Sequence, residues 1–267
     1  MNTLNSIAIN SRNLSGQNIL ITGAAGRIGS ATAKHALLAG GNVVLTDISS
    51  QGLEKLLADL PKLYSNCVHA FVADISSDEE IDSLVAQALA SAGNINGAVH
   101  SAYPRSKEWG AIFEDLQACH LYQDLCMQLG GAILFSQKMI RCFQVQGHGS
   151  LIHLSSIQGV KAPKFEHYAN TDMGSPIEYA AIKAGIISMT RWLAKYCANQ
   201  NIRVNCVSPG GILDAQPEEF LSRYRQSCTN IGMLSAEQVA SVIVFLLSPG
   251  AAAINGQNVI VDDGWSL

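Results

Sequence analysis

A short apolar run, a glycine turn and a helix in immediate succession constrain this chain more than any other feature. Residues 18–22 are an apolar run that stops at Gly23, and residues 26–39 are rich in alanine and leucine up to the Gly40-Gly41 pair. The run is too short for a helix and reads as a buried strand, whereas the double glycine is a helix C-cap signal. The alternation then repeats. Residues 42–47 and 68–73 read as strands, with a helix over 50–60 ended by Pro61. Another helix opens at Ser77-Asp78-Glu79-Glu80, where a capping hydroxyl and first-turn acids favour its start. A fourth strand at 96–102 precedes a long, mostly helical stretch, 113–146. Strands at 150–154, 201–208 and 257–261 are interleaved with a helix carrying Tyr179 and a helix over 235–247. Seven strands alternating with helices predict an α/β fold: one doubly wound domain, 1–267, with a seven-stranded parallel sheet covered by helices on both faces. Residues 1–15 are polar and read as a loose lead-in.

Composition narrows the function classes. With 48% hydrophobic and 14% charged residues the chain buries a sizeable core. A net charge of −4 gives no electrostatic case for nucleic acid or an anionic membrane. The longest apolar run, 239–247, is far below the roughly 20 residues of a membrane span. The first ten residues show neither a basic nor a continuous apolar stretch, so no signal peptide is expected. Seven cysteines without a CxxC pair read as reduced thiols, so neither disulfides nor a metal site is expected. A cytoplasmic protein acting on a small molecule is the expectation.

The glycine turn, Thr22-Gly-Ala-Ala-Gly-Arg-Ile-Gly29, carries the first chemical signal. Gly23, Gly26 and Gly29 let the backbone of Ala25, Arg27 and Ile28 approach a pyrophosphate, whose charge is met by N–H groups at the helix start. A purely structural turn is the alternative. Asp47, 18 positions beyond Gly29 and at the end of the second strand, is placed to bond a ribose diol and repel a 2′-phosphate. It could equally cap the next helix. Asp74-Ile75, after the third strand, either borders an adenine ring or caps a turn. NAD is favoured over NADP, although Arg27 could receive a phosphate.

The second signal is Tyr179-Ala-Ala-Ile-Lys183, whose tyrosine and lysine lie one helical turn apart on one face. A free phenol titrates near ~10, so it needs a neighbouring cation to act near neutrality. Upstream, His153-Leu-Ser-Ser156 places a hydroxyl at the carboxyl end of a strand. Serine, tyrosine and lysine together suggest proton transfer at a substrate oxygen, although YxxxK alone arises readily by chance.

With these parts in order, the chain resembles the short-chain dehydrogenase/reductase family over nearly its whole length. The matching marks are TGAAGRIG at 22–29, Asp47, Asp74-Ile75, LSS at 154–156, YAAIK at 179–183, IRVNCVSPG at 202–210 and NGQNVIVDDGW at 255–265. The resemblance implies a Rossmann-like fold and an oxidoreductase in which Ser156 holds the substrate oxygen and Tyr179 exchanges its proton. Lys183 would grip the nicotinamide ribose and lower the tyrosine pKa, with Ser155 the fallback for Ser156. It places Ser101 and Ala102 beside the cofactor and the loop of Pro209, Gly210 and Ile212 beside the nicotinamide. It also implies a homotetramer or dimer built on the long helices within 113–146 and 178–198.

Several positions depart from the family. The fourth strand ends His100-Ser101-Ala102-Tyr103, with Tyr103 where a glycine is usual, so the pocket shape should differ. The asparagine of the family's proton relay falls on Gln128, beside a Gly130-Gly131 pair that disturbs a helix. Tyr179 lies 23 positions beyond Ser156, well past the usual separation, and the insertion, 161–177, holds Lys164, Phe165, Glu166, His167, Tyr168, Asn170 and Asp172. Tyr168 mimics the usual spacing, but Asp172 one turn on would raise its pKa, which makes it a decoy for the proton-transfer role. Tyr103, His167 and Tyr168 are the expected substrate contacts beside Ser156. This loop and SPGGILDAQPEEF resemble a subgroup of oxidoreductases linked to flagellin modification and legionaminic-type sugars, pointing to a sugar or sugar-nucleotide substrate. Arg105, Lys107, Lys161 and Lys164 would meet a phosphate or stand as solvated charges. A 3-ketoacyl reductase of the same fold and a non-catalytic NAD-binding regulator are the alternatives.

Overall fold

The computed structural model describes residues 13–267, so residues 1–12 of the expected lead-in lie outside it. Residues 13–15 are not loose: Leu14 is fully buried and its N–H donates to the Ala39 carbonyl at 3.0 Å.

The strands are β1 (Asn18–Thr22), β2 (Asn42–Asp47), β3 (Val68–Val72), β4 (Gly97–His100), β5 (Gly149–Leu154), β6 (Ile202–Pro209) and β7 (Asn258–Val261). They form one sheet in the order β3-β2-β1-β4-β5-β6-β7, every neighbouring pair parallel. Their ends differ from the expected ranges by one or two residues, as fraying ends do. The α-helices among the described residues are α1 (Arg27–Leu38), α2 (Ser50–Asp59), α3 (Asp78–Ala92), α4 (Ala118–Asp124), α5 (Gly131–Gln146), α6 (Ile177–Tyr196), α7 (Glu218–Gln226) and α8 (Ala236–Leu247). Strand alternation divides the core. Ile19 and Ile21 of β1 join α1, α2 and α8 on one face, and Leu20 joins α3, α5 and the end of α6 on the other. Each fully buried Leu, Ile or Phe there contributes about 1.5–3 kcal/mol.

The order reverses between β1 and β4, and it is outside the carboxyl ends of the strands at such a reversal that an open parallel sheet forms a ligand crevice. Three features elaborate that end. Between α4 and α5 the chain stays helical through the Gly130-Gly131 pair but widens to a π-helix over Leu125–Gly130. The insertion forms a short 3-10 turn, Phe165–Tyr168, between β5 and α6. Helix α7, which periodicity did not mark, closes over that turn.

Candidate active site

The glycine turn forms the floor of a cleft of ≈ 590 Å³ at the sheet's carboxyl end. Gly23 sits at φ +63, and a Cβ on it would come within 2.6 Å of the Ala102 backbone, so only glycine lets β1 and β4 close here. Helix α1 starts at Gly26 with no side-chain cap and no acid in its first turn, whereas Ser49 and Ser77 cap α2 and α3. Its first amides therefore open onto the cleft and suit a phosphate. The expected residues Gly23, Ala25, Gly26, Arg27, Ile28, Gly29, Asp47, Asp74, Ile75, Ser101, Ala102 and Ile212 all line the cleft, as does Tyr103. Pro209 and Gly210, at the end of β6, do not.

Asp47 serves the loop as well as the cleft. Its carboxylate accepts from the Ala25 N–H at 3.0 Å and the Ser49 N–H at 3.0 Å. Ser49, not Asp47, caps α2. A carboxylate has further lone pairs, so it remains able to accept from a ribose diol. Asp74 accepts from the Ser76 backbone and hydroxyl, which makes it both a turn cap and a cleft residue. Arg27 pairs with Asp214, from the loop after β6, across the mouth of the cleft.

Beside the cleft, α6 is held against the end of β5. The Ser155 hydroxyl donates to the Lys183 carbonyl at 2.7 Å, and Lys183 Nζ donates to the Leu154 carbonyl at 3.1 Å. Ser155 is thus occupied as a donor in fastening the helix. Gly159 lets the two elements approach, because a Cβ there would lie 2.7 Å from the Lys183 backbone. Ser156 accepts from the Gln158 N–H at 3.2 Å and faces Tyr179.

The titrating groups are set by burial. Burial raises the Tyr179 phenol, and the Ser156 hydroxyl acts in the opposite direction. Burial pulls Lys183 down to about 8. Its Nζ stands 5.5 Å from the centre of the Tyr179 ring and 5.4 Å from that of Tyr103. Desolvation is the larger influence, so the Tyr179 phenol stands above its ordinary value in this geometry. Beneath the site, His100 and His153 are held neutral, both lowered to about 3, chiefly by burial. His100 meets Thr22 at 3.2 Å, and His153 bridges Ser136 of α5 and Thr190 of α6 at 2.9 and 2.8 Å.

Gln128 lies in the π-helical stretch, 4% exposed, and both its amide atoms lack a partner. An orphaned buried amide requires water or a ligand. Tyr103 lies against Tyr179, ring centres 5.6 Å apart, and Trp109 completes a triad at 5.5 Å from Tyr103 and 6.1 Å from Tyr179. Sequence reasoning missed Trp109; the only signal was an aromatic residue shortly after the altered end of β4.

The insertion divides. Tyr168 keeps its hydroxyl in a polar group, accepting from Gln158 Nε2 at 3.1 Å, while Ser175 donates to Gln158 Oε1 at 2.6 Å. His167 is enclosed under α7 and does not line the cleft. It is 3% exposed, meets Ser227 at 2.9 Å and packs among Phe220, Tyr224 and Trp265. An aromatic imidazole finds both packing and a hydrogen bond under α7, which a loop position in sequence does not reveal. Lys164 lies over the Trp265 ring at 4.9 Å. Among the described residues no group of three or more His, Cys, Asp or Glu is arranged to hold a metal.

Comparison with known proteins places this geometry. The family model described as "Enoyl-(Acyl carrier protein) reductase" matches residues 23–266. The chain is 43% identical to post-translational flagellin modification protein A of Campylobacter coli, over 93% of this chain and 98% of that protein. It is 29% identical to a 3-oxoacyl-[acyl-carrier-protein] reductase of Thermotoga maritima, over 94% and 98%. A short-chain dehydrogenase from Leptospira borgpetersenii serovar Hardjo-bovis, solved with bound NAD+, superposes with a TM-score of 0.85 at 28% identity, covering 96% of this chain and 95% of that one. The chain belongs to the short-chain dehydrogenase/reductase family, enzymes acting on hydroxyl and keto groups.

Proposed function

We propose that the protein is an NAD-dependent oxidoreductase acting on a hydroxyl or keto group of a polar, sugar-derived or sugar-nucleotide substrate, with Tyr179 as general acid and base. The observation that carries this is the meeting of Ser156, Tyr179 and Lys183 beside a glycine-floored cleft at the sheet's carboxyl end. Gly23, Gly26 and the first amides of α1 would hold the pyrophosphate, Asp47 the adenosine ribose, and Lys183 with the Pro209–Gly210 loop the nicotinamide end. When bound, NAD supplies a hydride acceptor, and NADH a hydride donor. Ser156 Oγ orients the substrate oxygen, and Tyr179 Oη takes or returns its proton. The Lys183 ammonium stabilises the phenolate when the proton is lost. Gln128, whose amide is unpaired, would hold water on the path from Lys183 to solvent.

NAD rather than NADP is supported by Asp47 in the cleft and by the pairing of Arg27 with Asp214, which engages the guanidinium a 2′-phosphate would need. A polar substrate is supported by the Gln158–Tyr168–Ser175 group, close enough to Tyr179 to influence its titration. The Campylobacter coli relative, named for flagellin modification, agrees with a sugar-derived substrate. The whole chain, 1–267, would work as one domain in the cytoplasm.

Two measurements test this. Tyr179→Phe should abolish turnover of nucleotide-linked and phosphorylated sugars while leaving NADH affinity unchanged; retained turnover would move the proton transfer to Tyr168. Fluorescence titration should show tighter binding of NADH than NADPH. The second reading, a 3-ketoacyl reductase, is favoured by the Thermotoga maritima relative and predicts the reverse cofactor order with turnover of an acetoacetyl thioester.

A further inference from the structure

The segment after β4 is built to bring two aromatic rings onto Tyr179. Its anchor is Ser106, whose N–H and hydroxyl both donate at 2.8 Å to the carboxylate of Asp124, itself 1% exposed at the end of α4. Burying a carboxylate is costly unless it is bonded, so these two bonds fix the segment firmly on the helix. On either side of the anchor stand Tyr103 and Trp109. Trp109 packs against the cluster of Ile182, Ile186, Ile187 and Cys206, and its ring meets Tyr103 edge-on at an interplanar angle of 87°. Tyr103 keeps 40% of its surface exposed while contacting Tyr179. The two rings thus border Tyr179 on this side of the site.

We propose that Tyr103 and Trp109 form a stacking platform that selects a ring-shaped substrate over an open-chain or cationic one. The inference rests on Tyr179 being the proton-transfer group. Aromatic faces are apolar and carry a negative quadrupole, so they attract the slightly positive C–H face of a saturated ring while its hydroxyls point outward. A flexible chain gains less, because it loses rotational freedom on lying flat. A cationic amine is disfavoured, because the positive groups of Arg105 and Lys183 each stand 5.4 Å from the centre of the Tyr103 ring and repel a like charge there.

Saturation-transfer NMR on the NAD-loaded protein tests the platform without requiring turnover. The probes are myo-inositol against sorbitol, cyclohexanol against 3-hexanol, and trans-4-aminocyclohexanol. The cyclic member of each pair should bind more tightly, and the amine more weakly than cyclohexanol. Trp109→Leu should weaken the rings about five- to tenfold and leave the chains unchanged, the size expected for aromatic contacts. Trp109→Phe should keep the preference, and Tyr103→Leu, farther from the α6 packing, should reduce it if Trp109→Leu folds poorly. The platform is overturned if no ring binds, if rings and chains bind alike in the wild type, if the amine binds best, or if Trp109→Leu weakens both kinds equally. Cyclohexanol binding above myo-inositol, with the preference still dependent on Trp109, would support the platform while defeating the polar-substrate reading.

Discussion

At the scale of single residues, Lys183 shows how one side chain is asked for two things. Its backbone carbonyl and ammonium both tie α6 to the end of β5, and the same burial pulls its pKa down to about 8. The free side chain titrates near ~10.4, so between these two values the unfolded chain holds a proton that the folded protein has released. Stability therefore rises with pH across that window, and below about 8 the folded protein bears the cost of a buried ammonium. The wild type should accordingly gain stability relative to Lys183→Met between pH 7.5 and about pH 10, read as the difference between urea midpoints at each pH. His100 and His153 act with the same sign in a lower window. Both are neutral in the folded protein down to about 3, so stability is lost as pH falls below the ordinary histidine range near ~6.5. Residue types and spacing made Ser156, Tyr179, Lys183 and the glycines legible. They did not show that Ser155 is a fastener, because only the folded pairing of β5 with α6 gives its hydroxyl a partner.

At the scale of elements, the insertion is a cap hinged to a second element rather than a free loop. Arg223 of α7 donates to the Ala169 carbonyl, Tyr168 packs on Phe220, and His167 is enclosed by three aromatic rings. Removing the imidazole leaves a cavity and an unpaired Ser227. His167→Ala should therefore cost about 2 kcal/mol in urea unfolding and raise hydrogen exchange across α7. Unchanged exchange in α7 would mean that the two elements are independent. The insertion was visible as an excess of residues between Ser156 and Tyr179. Which of its side chains turn inward was not, because α7 is short and its nine residues show no long apolar periodicity. The π-helical stretch is a similar case. Gly130 and Gly131 signalled a disturbance, and the contact between Gly131 and the Ile75 carbonyl, where a Cβ would lie 2.9 Å away, decided its place.

At the scale of the whole molecule, an apolar groove of ≈ 520 Å³ between α5 and α6 lies on the outer side. Trp192 and Tyr196 stack at 5.0 Å along it, 63% and 56% exposed, and Ile133 faces them. If the chain assembles through its long helices, as the family resemblance implies, this apolar face is the one that assembly would cover. Trp192→Glu should lower the mass in light scattering without altering the thermal fold signal of the subunit. The same helices carry His153's partners and the Tyr179–Lys183 turn, so the groove and the site share a frame. Local pattern alone carries the raw material of the strand order: seven apolar runs, all but the last followed by a helix, which permit little other than a parallel sheet. It also determined the phosphate turn and the Ser-Tyr-Lys set, because those depend on residue type at fixed local spacing. Only the tertiary structure decided which groups lie around Tyr179. Trp109 and Tyr103 reach it, His167 turns away, and Lys183 is desolvated, because each outcome depends on contacts between segments far apart in the chain, which local pattern does not encode.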